Sequence, residues 1–303
     1  MSFASEVKAE LCKTDPGRKC CARAELYGAL LYANSFSAGK IRLVTESEAF
    51  AGRLPLLLKR AVGESFDRCP AEGAPGRKIF ELTNPKKIRA VFAAFGGDAE
   101  HTLRLSINLA VLENDCDRTA FLRGAFLAGG HVTDPAKRYH MELVTGHPGV
   151  CGGTVSLLQE LGLEARSSRR SGNYLTYFKQ AGAIEDFFTG IGASRAAMRI
   201  MESTAEKDMT NAMNRLINCD LANADKVTEA ARRQLEVIRA LDNAFGLDAL
   251  PPVLQDTALL RIANPECSLS DLAMLAVPPV SKSCMNHRMR KLMEWAEQFS
   301  AVD

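Results

Sequence analysis

The run SKSCMNHRMRKL at 281–292 puts six side chains on one side of a helix: Lys282, Ser283, Asn286, His287, Arg290 and Lys291. Those residue types carry out the chemistry of nucleic-acid recognition. Asn and Arg pair bidentately with base edges in the major groove, and Lys neutralises phosphate. The opposite stripe, Met285, Met289, Leu292, Ala296 and Phe299, is apolar and suited to burial. Two readings of the outer face compete: base readout, or the solvated end of a helix in a small bundle. The surroundings favour readout. Ser281 is placed to cap this helix, and a shorter one, SLSDLAMLA, precedes it with Ser268 as N-cap and Asp271 three residues on, an Asp variant of the capping box. A short helix, a tight Pro-Pro break and a longer helix with Asn, Lys and Arg in its first turns have helix-turn-helix anatomy, so double-stranded DNA is the expected partner.

The 303-residue chain has a formal net charge of +2, which excludes a uniformly basic nucleic-acid wrapper and leaves only local clusters to search. One is Arg166, Arg169 and Arg170, expected in a loop between strands, where it either grips DNA backbone or is simply solvated. Arg199, Lys207 and Arg215 lie on a helical segment that reads first as a spacer and second as a source of phosphate contacts. Metal chemistry finds no support in spacing. His101, His131, His140 and His147 lack ligand spacing such as His-x-x-x-His. The nine cysteines are scattered without Cys-x-x-Cys spacing, with Cys20–Cys21 the one close pair, and read as reduced thiols packed as small hydrophobes. No metal, cofactor or small-molecule substrate is expected. Charge begins at Glu6 and Lys8, ahead of any signal-peptide core, and no run approaches the ~20 apolar residues of a membrane span. The expectation is a cytoplasmic, nucleoid-associated protein with no membrane partner.

The elements that position these residues follow from a weak internal repeat. The helical stretch ELYGALLYANSF (25–36) corresponds to TAFLRGAFLAGGHV (119–132), each apolar on one face with a central glycine, Gly28 or Gly124. After each comes a strand-like run ending in Val-Thr, IRLVT or HMELVT. Then follow an amphipathic helix (54–63, ending on Gly63; 155–163), further strand-like runs (KIFELT, LRLSI, NYLTYF) and a closing helix. In the closing helices Ile88 matches Ile184, Phe92 matches Phe188 and Gly96 matches Gly192. Two α-β-β-α-β-β-α units make one pseudo-symmetric α+β domain, with repeats at 1–100 and 101–195. A helical linker is expected at 196–222, periodic from 197 to about 216. An all-α domain at 223–303 then opens with a helix over 225–245 closed by Gly246.

With the repeat in hand, FLRGAFLAGG and ELYGALLYAN resemble, in degenerate form, the paired LAGLIDADG helices of homing endonucleases. The resemblance implies helices packed along a pseudo-two-fold axis, with Gly28, Ala29 and Ala33 facing Gly124, Ala125 and Gly129. It also implies that the metal-binding acids belong at Ala33 and Gly129. Neither residue can hold a divalent ion, so no catalytic residues carry over and an enzyme is not expected. SLSDLA with SKS is similar to the region-4-like helix-turn-helix of sigma factors. Together with MSFASEVKAEL, CCARAEL, HVTDP, YHMEL, KDMTNAMNRLINCDLAN and PPVSKSCMNHRMRKL, the chain resembles, over essentially its whole length, the WhiA family of bacterial regulators. That resemblance implies a sequence-specific transcriptional regulator acting in sporulation, cell division or chromosome segregation. The N-terminal domain would serve as a second DNA clamp or as a surface for a co-regulator or division protein; the alternative for the whole chain is a scaffold that binds such a partner through that domain, with only weak DNA binding. One departure is Leu275–Ala276–Val277, which has no glycine before the Pro-Pro turn.

Overall fold

Glycine spacing decides the centre of the N-terminal fold. The structure, a computed structural model, describes residues 2–71, 76–100 and 104–300, the side chains as far as residue 297. Helix α1 (Phe3–Lys13) leads into the first repeat: α2 (Lys19–Leu31), β1 (Ser35–Phe36), β2 (Ile41–Thr45), α3 (Glu48–Val62), β3 (Lys78–Leu82) and α4 (Pro85–Ala94). The second repeat is α5 (Asp115–Gly129), β4 (Gly130–Val132), β5 (Met141–Thr145), α6 (Pro148–Glu160), β6 (Arg166–Arg170), β7 (Asn173–Phe178) and α7 (Ala181–Ile191). Then come α8 (Ser194–Phe245), α9 (Pro252–Ala263), α10 (Leu269–Leu275) and α11 (Lys282–Ser300).

Helices α2 and α5 cross at backbone contact. A Cβ on Gly28 would run into the Phe121 carbonyl oxygen and come within 2.9 Å of the Ala125 nitrogen. One on Gly124 would meet the Glu25 carbonyl oxygen and come within 2.9 Å of the Ala29 nitrogen. Each glycine costs its helix about 1 kcal/mol relative to alanine, and the dispersion gained by two helices packed without side chains between them offsets that cost. Further along, the closest neighbours of Gly129 are Val144 and Tyr32 rather than Ala33. Phe121 and Phe126 of α5, Leu26 and Leu30 of α2, and Phe187 and Phe188 of α7 are buried around this axis.

The two repeats are not equal copies. The second closes an antiparallel four-stranded sheet in the order β4-β5-β7-β6, as its α-β-β-α-β-β-α pattern predicts, whereas among its described residues the first makes three strands, β1-β2-β3. Where the fourth would stand, a single bridge joins Arg68 to Glu81. The stretch RSSRR, expected as loop, is strand β6, paired from Arg166↔Tyr177 to Arg170↔Asn173. A two-residue turn of Ser171 (φ 50°) and Gly172 (φ 83°) makes that hairpin, both residues taking the positive φ that a twisted two-residue connection demands. LRLSI is not a strand over its described residues. Tyr27 donates its hydroxyl to the Ser106 carbonyl at 3.1 Å and accepts from the Asn108 N–H at 2.9 Å, so side chains satisfy backbone groups there.

A second correction concerns the linker. The expected spacer and the helix over 225–245 are one continuous α8, because INCDLANA between them holds no glycine or proline to break the i→i−4 ladder. Its first turn is capped from elsewhere: the Glu10 carboxylate accepts from the Arg195 N–H at 2.7 Å and the Ala196 N–H at 3.1 Å. By internal contacts the chain divides into two units at Asp208/Met209, inside α8, rather than at 195 and 222.

In the second unit, Ile238, Leu254, Ala258, Leu272, Ala273, Met285, Met289 and Leu292 form one core. Arg261 is fully buried there and donates to the Cys267 carbonyl at 2.6 Å, pinning the connection between α9 and α10.

Candidate nucleic-acid interface

Helix α11 is held by an apolar seam and exposes its outer face. Met285, Met289 and Leu292 are buried against α9 and α10, while Lys282, Ser283, Asn286, His287, Arg290 and Lys291 are exposed together on the outer side. The Phe299 side chain lies outside the described residues. Two expected caps set the angle of entry. Ser281 Oγ accepts from the Cys284 N–H at 3.2 Å, and Ser268 with Asp271 forms a reciprocal capping box at the start of α10. Between the helices the Val280 N–H donates to the Ala273 carbonyl at 3.0 Å and folds the Pro-Pro turn back on α10. On the outer face Arg290 is only lightly engaged, by Glu294 at 3.4 Å and the His287 ring at 3.3 Å. Exposed pairs of this kind contribute about 0.2–1 kcal/mol, so exchange for a phosphate or guanine edge costs little. Arg288, which the sequence reading passed over, is half-buried beside a groove of about 420 Å³ between α9 and the turn.

Several basic residues of the first unit are paired, while Arg166 is exposed on β6. Arg170 reaches Glu142 at 3.0 Å, and His140 shares that carboxylate at 3.1 Å. Burial pushes the pKa of Glu142 up, but bonds from His140 and Arg170 outweigh it and hold the group below its ordinary value. Arg169 lies over the Tyr174 ring, and strand alternation turns it to the opposite face from Arg166 and Arg170. On the other sheet Glu81 gathers Lys40 at 2.7 Å, Arg42 at 3.4 Å and Arg68 at 3.5 Å. Arg199 pairs with Glu6 at 2.5 Å, and Lys207 donates to the Pro135 carbonyl at 2.5 Å over the Tyr139 ring. Arg215 is exposed on α8 and bonds only its own helix, at the Asn211 carbonyl.

At the C-terminal ends of α2 and α5, where paired acids would hold metal in a nuclease, lies a cleft of about 750 Å³. Ala128, Gly130, Asn34, His131 and Lys8 line it. Its one carboxylate, Glu46, is already paired with Arg77 at 3.1 Å. Burial pulls the Lys8 ammonium down to about 8. The cleft is therefore a site of basic groups, without the acids of two-metal hydrolysis. His131, His140 and His147 join no ligand group, and His101 lies outside the described residues. Among the described residues the one set of three or more metal-type donors is Cys20, Cys21, Cys116 and Asp117. All nine cysteines are free thiols, and Cys69, Cys116 and Cys219 are exposed rather than packed.

Sequence reasoning also missed the polar centre of the helix pair. Glu25 of α2 is fully buried and takes Arg53 in a fork, at 2.6 and 2.9 Å, with Arg123 of α5 at 3.5 Å.

Residues 118–210 match the family model of the WhiA LAGLIDADG-like domain, and residues 213–296 that of the WhiA C-terminal HTH domain. A probable cell division protein WhiA from Desulfitobacterium hafniense (strain DSM 10664 / DCB-2) is 36% identical over 311 residues, covering 98% of this chain and 96% of that protein. The chain belongs to the WhiA family. A WhiA protein of the same description from Bacillus licheniformis is 36% identical over 310 residues, covering 98% of this chain and 97% of its own. The crystal structure of full-length DUF199/WhiA from Thermatoga maritima shares the fold, with a TM-score of 0.60 at 23% identity over 98% of this chain and 99% of that one. The match to the WhiA LAGLIDADG-like domain starts at 118 and so covers the second repeat; the α2–α5 crossing ties the first repeat to it. Among the described residues no helix is long and apolar enough to cross a membrane.

Proposed function

We propose that this WhiA-family chain is a sequence-specific DNA-binding regulator of transcription that reads its operator with α11 and does no chemistry on DNA. The observation that carries the reading is the row Lys282, Asn286 and Arg290. It is exposed on a helix whose opposite face is locked by Met285, Met289 and Leu292 behind a capped turn. The description of the relatives as probable cell division proteins supports genes of division and chromosome segregation as its targets. Sporulation belongs to the same proposal in organisms that form spores.

A specific observation favours a protein-facing role for the first unit over a second DNA clamp. Glu81 takes Lys40, Arg42 and Arg68 and Glu142 takes Arg170, which lowers the positive charge that those sheets offer to phosphates. A co-regulator or division protein is the partner that such a surface fits.

The test is titration of the full chain against fluorescent promoter fragments, its own included, at two salt concentrations. Selective binding that weakens with salt is expected. Asn286→Ala should cost about 1–3 kcal/mol on the operator and relax specificity at one position, whereas Lys291→Ala should weaken all sequences alike. Equal losses on random DNA for Asn286→Ala would remove base readout by α11. Cleavage of the fragments in Mg²⁺ would overturn the non-catalytic reading.

A further inference from the structure

Three thiols and a carboxylate that are far apart in sequence meet where α2 and α5 begin. Cys20 and Cys21 are the second and third residues of α2, and Cys116 and Asp117 the second and third of α5. The offset that aligns Gly28 with Gly124 also aligns Cys20 with Cys116 and Cys21 with Asp117. The pseudo-two-fold axis therefore carries one donor pair onto the other. The Cys20 and Cys21 Sγ atoms are 3.9 Å apart, Cys116 Sγ is 3.7 Å from Asp117 Oδ1, and all four donor atoms lie within 4.8 Å of one another. A tetrahedral zinc site with Zn–S bonds of about 2.3 Å has sulfur–sulfur edges of about 3.8 Å.

Packing as small hydrophobes does not account for this set. Asp117 is buried, and a buried carboxylate ordinarily needs a cation or several strong donors. Its Oδ2 accepts from the Asn114 backbone N–H at 3.3 Å and from Asn114 Nδ2 at 3.0 Å, while Oδ1 is turned to sulfur. A carboxylate fixed through one oxygen and presenting the other is how outer-shell partners orient a metal ligand. Both helices point their N-termini at the cluster, and their positive dipole ends stabilise thiolates and the net anionic charge left after a divalent ion binds. The donors are three soft and one hard, a set that suits zinc and not magnesium or calcium.

We propose that Cys20, Cys21, Cys116 and Asp117 form a closed, structural zinc site that clips the repeat-related helices together at their N-terminal ends. The site lies at the opposite end of the helix pair from Ala33 and Gly129. Binding displaces the thiol protons to solvent, so occupancy rises with pH.

Elemental analysis of the full chain, purified with a non-thiol reductant and without chelator, tests it. One zinc per chain is expected. Stripped protein titrated with Co²⁺ should develop tetrahedral d–d bands and sulfur-to-cobalt charge transfer, saturating at one equivalent. Cys20→Ser with Cys116→Ser should abolish both signals, and Cys219→Ser should leave them intact. Should the double variant fail to fold, thiol alkylation of the wild type decides: zinc must protect Cys20, Cys21 and Cys116 while Cys69 and Cys219 react. Absence of stoichiometric zinc with no cobalt charge transfer overturns the proposal, as does a Cys21–Cys116 disulfide recovered from freshly lysed cells.

Discussion

Glu25 holds a negative charge with no exposed surface, between two guanidinium groups brought from α3 and α5. Replacing it by alanine strands Arg53 and Arg123 as buried charges without their shared partner, a loss of about 3–5 kcal/mol. Against a typical total of about 5–15 kcal/mol, that is enough to lower the urea midpoint of the full chain well beyond error. No loss on unfolding would mean that water or the carbonyls of Cys12 and Thr14, which Arg53 also bonds, suffice. Asp67 gives a pH signature. Bonds from the Lys87 ammonium, and then from the N–H groups of Asn84 and Thr83, draw its carboxyl down to about 2. A depressed acid contributes stability that is present above its unfolded value, about 3.9, and lost as pH falls through the folded one. Asp67→Asn should therefore close the stability gap to wild type between about pH 4 and pH 2, followed by thermal melting. Neither residue was legible in the sequence. The partners of Glu25 lie 28 and 98 positions away, so CCARAEL reads only as an amphipathic helix.

At the scale of elements, the crossing of α2 and α5 was readable and its surroundings less so. Gly124→Ala gains about 1 kcal/mol of helix propensity. It also drives a Cβ into the Glu25 carbonyl, an overpacking cost at or beyond about 1–3 kcal/mol because backbone cannot swing aside. The net expectation is destabilisation, measured by denaturant unfolding; a stabilised Gly124→Ala would show that the helices do not touch there. Period and small residues announce such a helix pair because they are local. Strand β6 escaped notice because RSSRR is polar on both faces and its edge position leaves it no alternation to display. The unity of α8 escaped because a polar, apolar-poor stretch weakens the amphipathic signal without containing any residue that ends a helix. The metal-type donors were invisible for a third reason: the pairs are adjacent on their own helices and nearly a hundred residues from each other.

For the whole molecule, division of labour follows from where charge is spent. The first unit pairs Lys40, Arg42, Arg170 and Arg199 with carboxylates, and the second leaves Lys282, Arg290 and Lys291 at the surface. The salt dependence of DNA binding should accordingly change little on Arg170→Ala and fall by about one counterion on Lys291→Ala, read from the slope of log affinity against log salt. Equal slopes would return the N-terminal sheets to the DNA. Helix α8 has a further consequence. Every residue from 208 to 228 is exposed, so little apolar burial supports the helix over that stretch. A helical stretch with so few buried contacts opens locally without waiting for either core to unfold. Trypsin should therefore nick the native chain first at Arg215 or Lys226, before any bond in the buried helices. Amide protons in the same window should exchange fastest of all those held in α8.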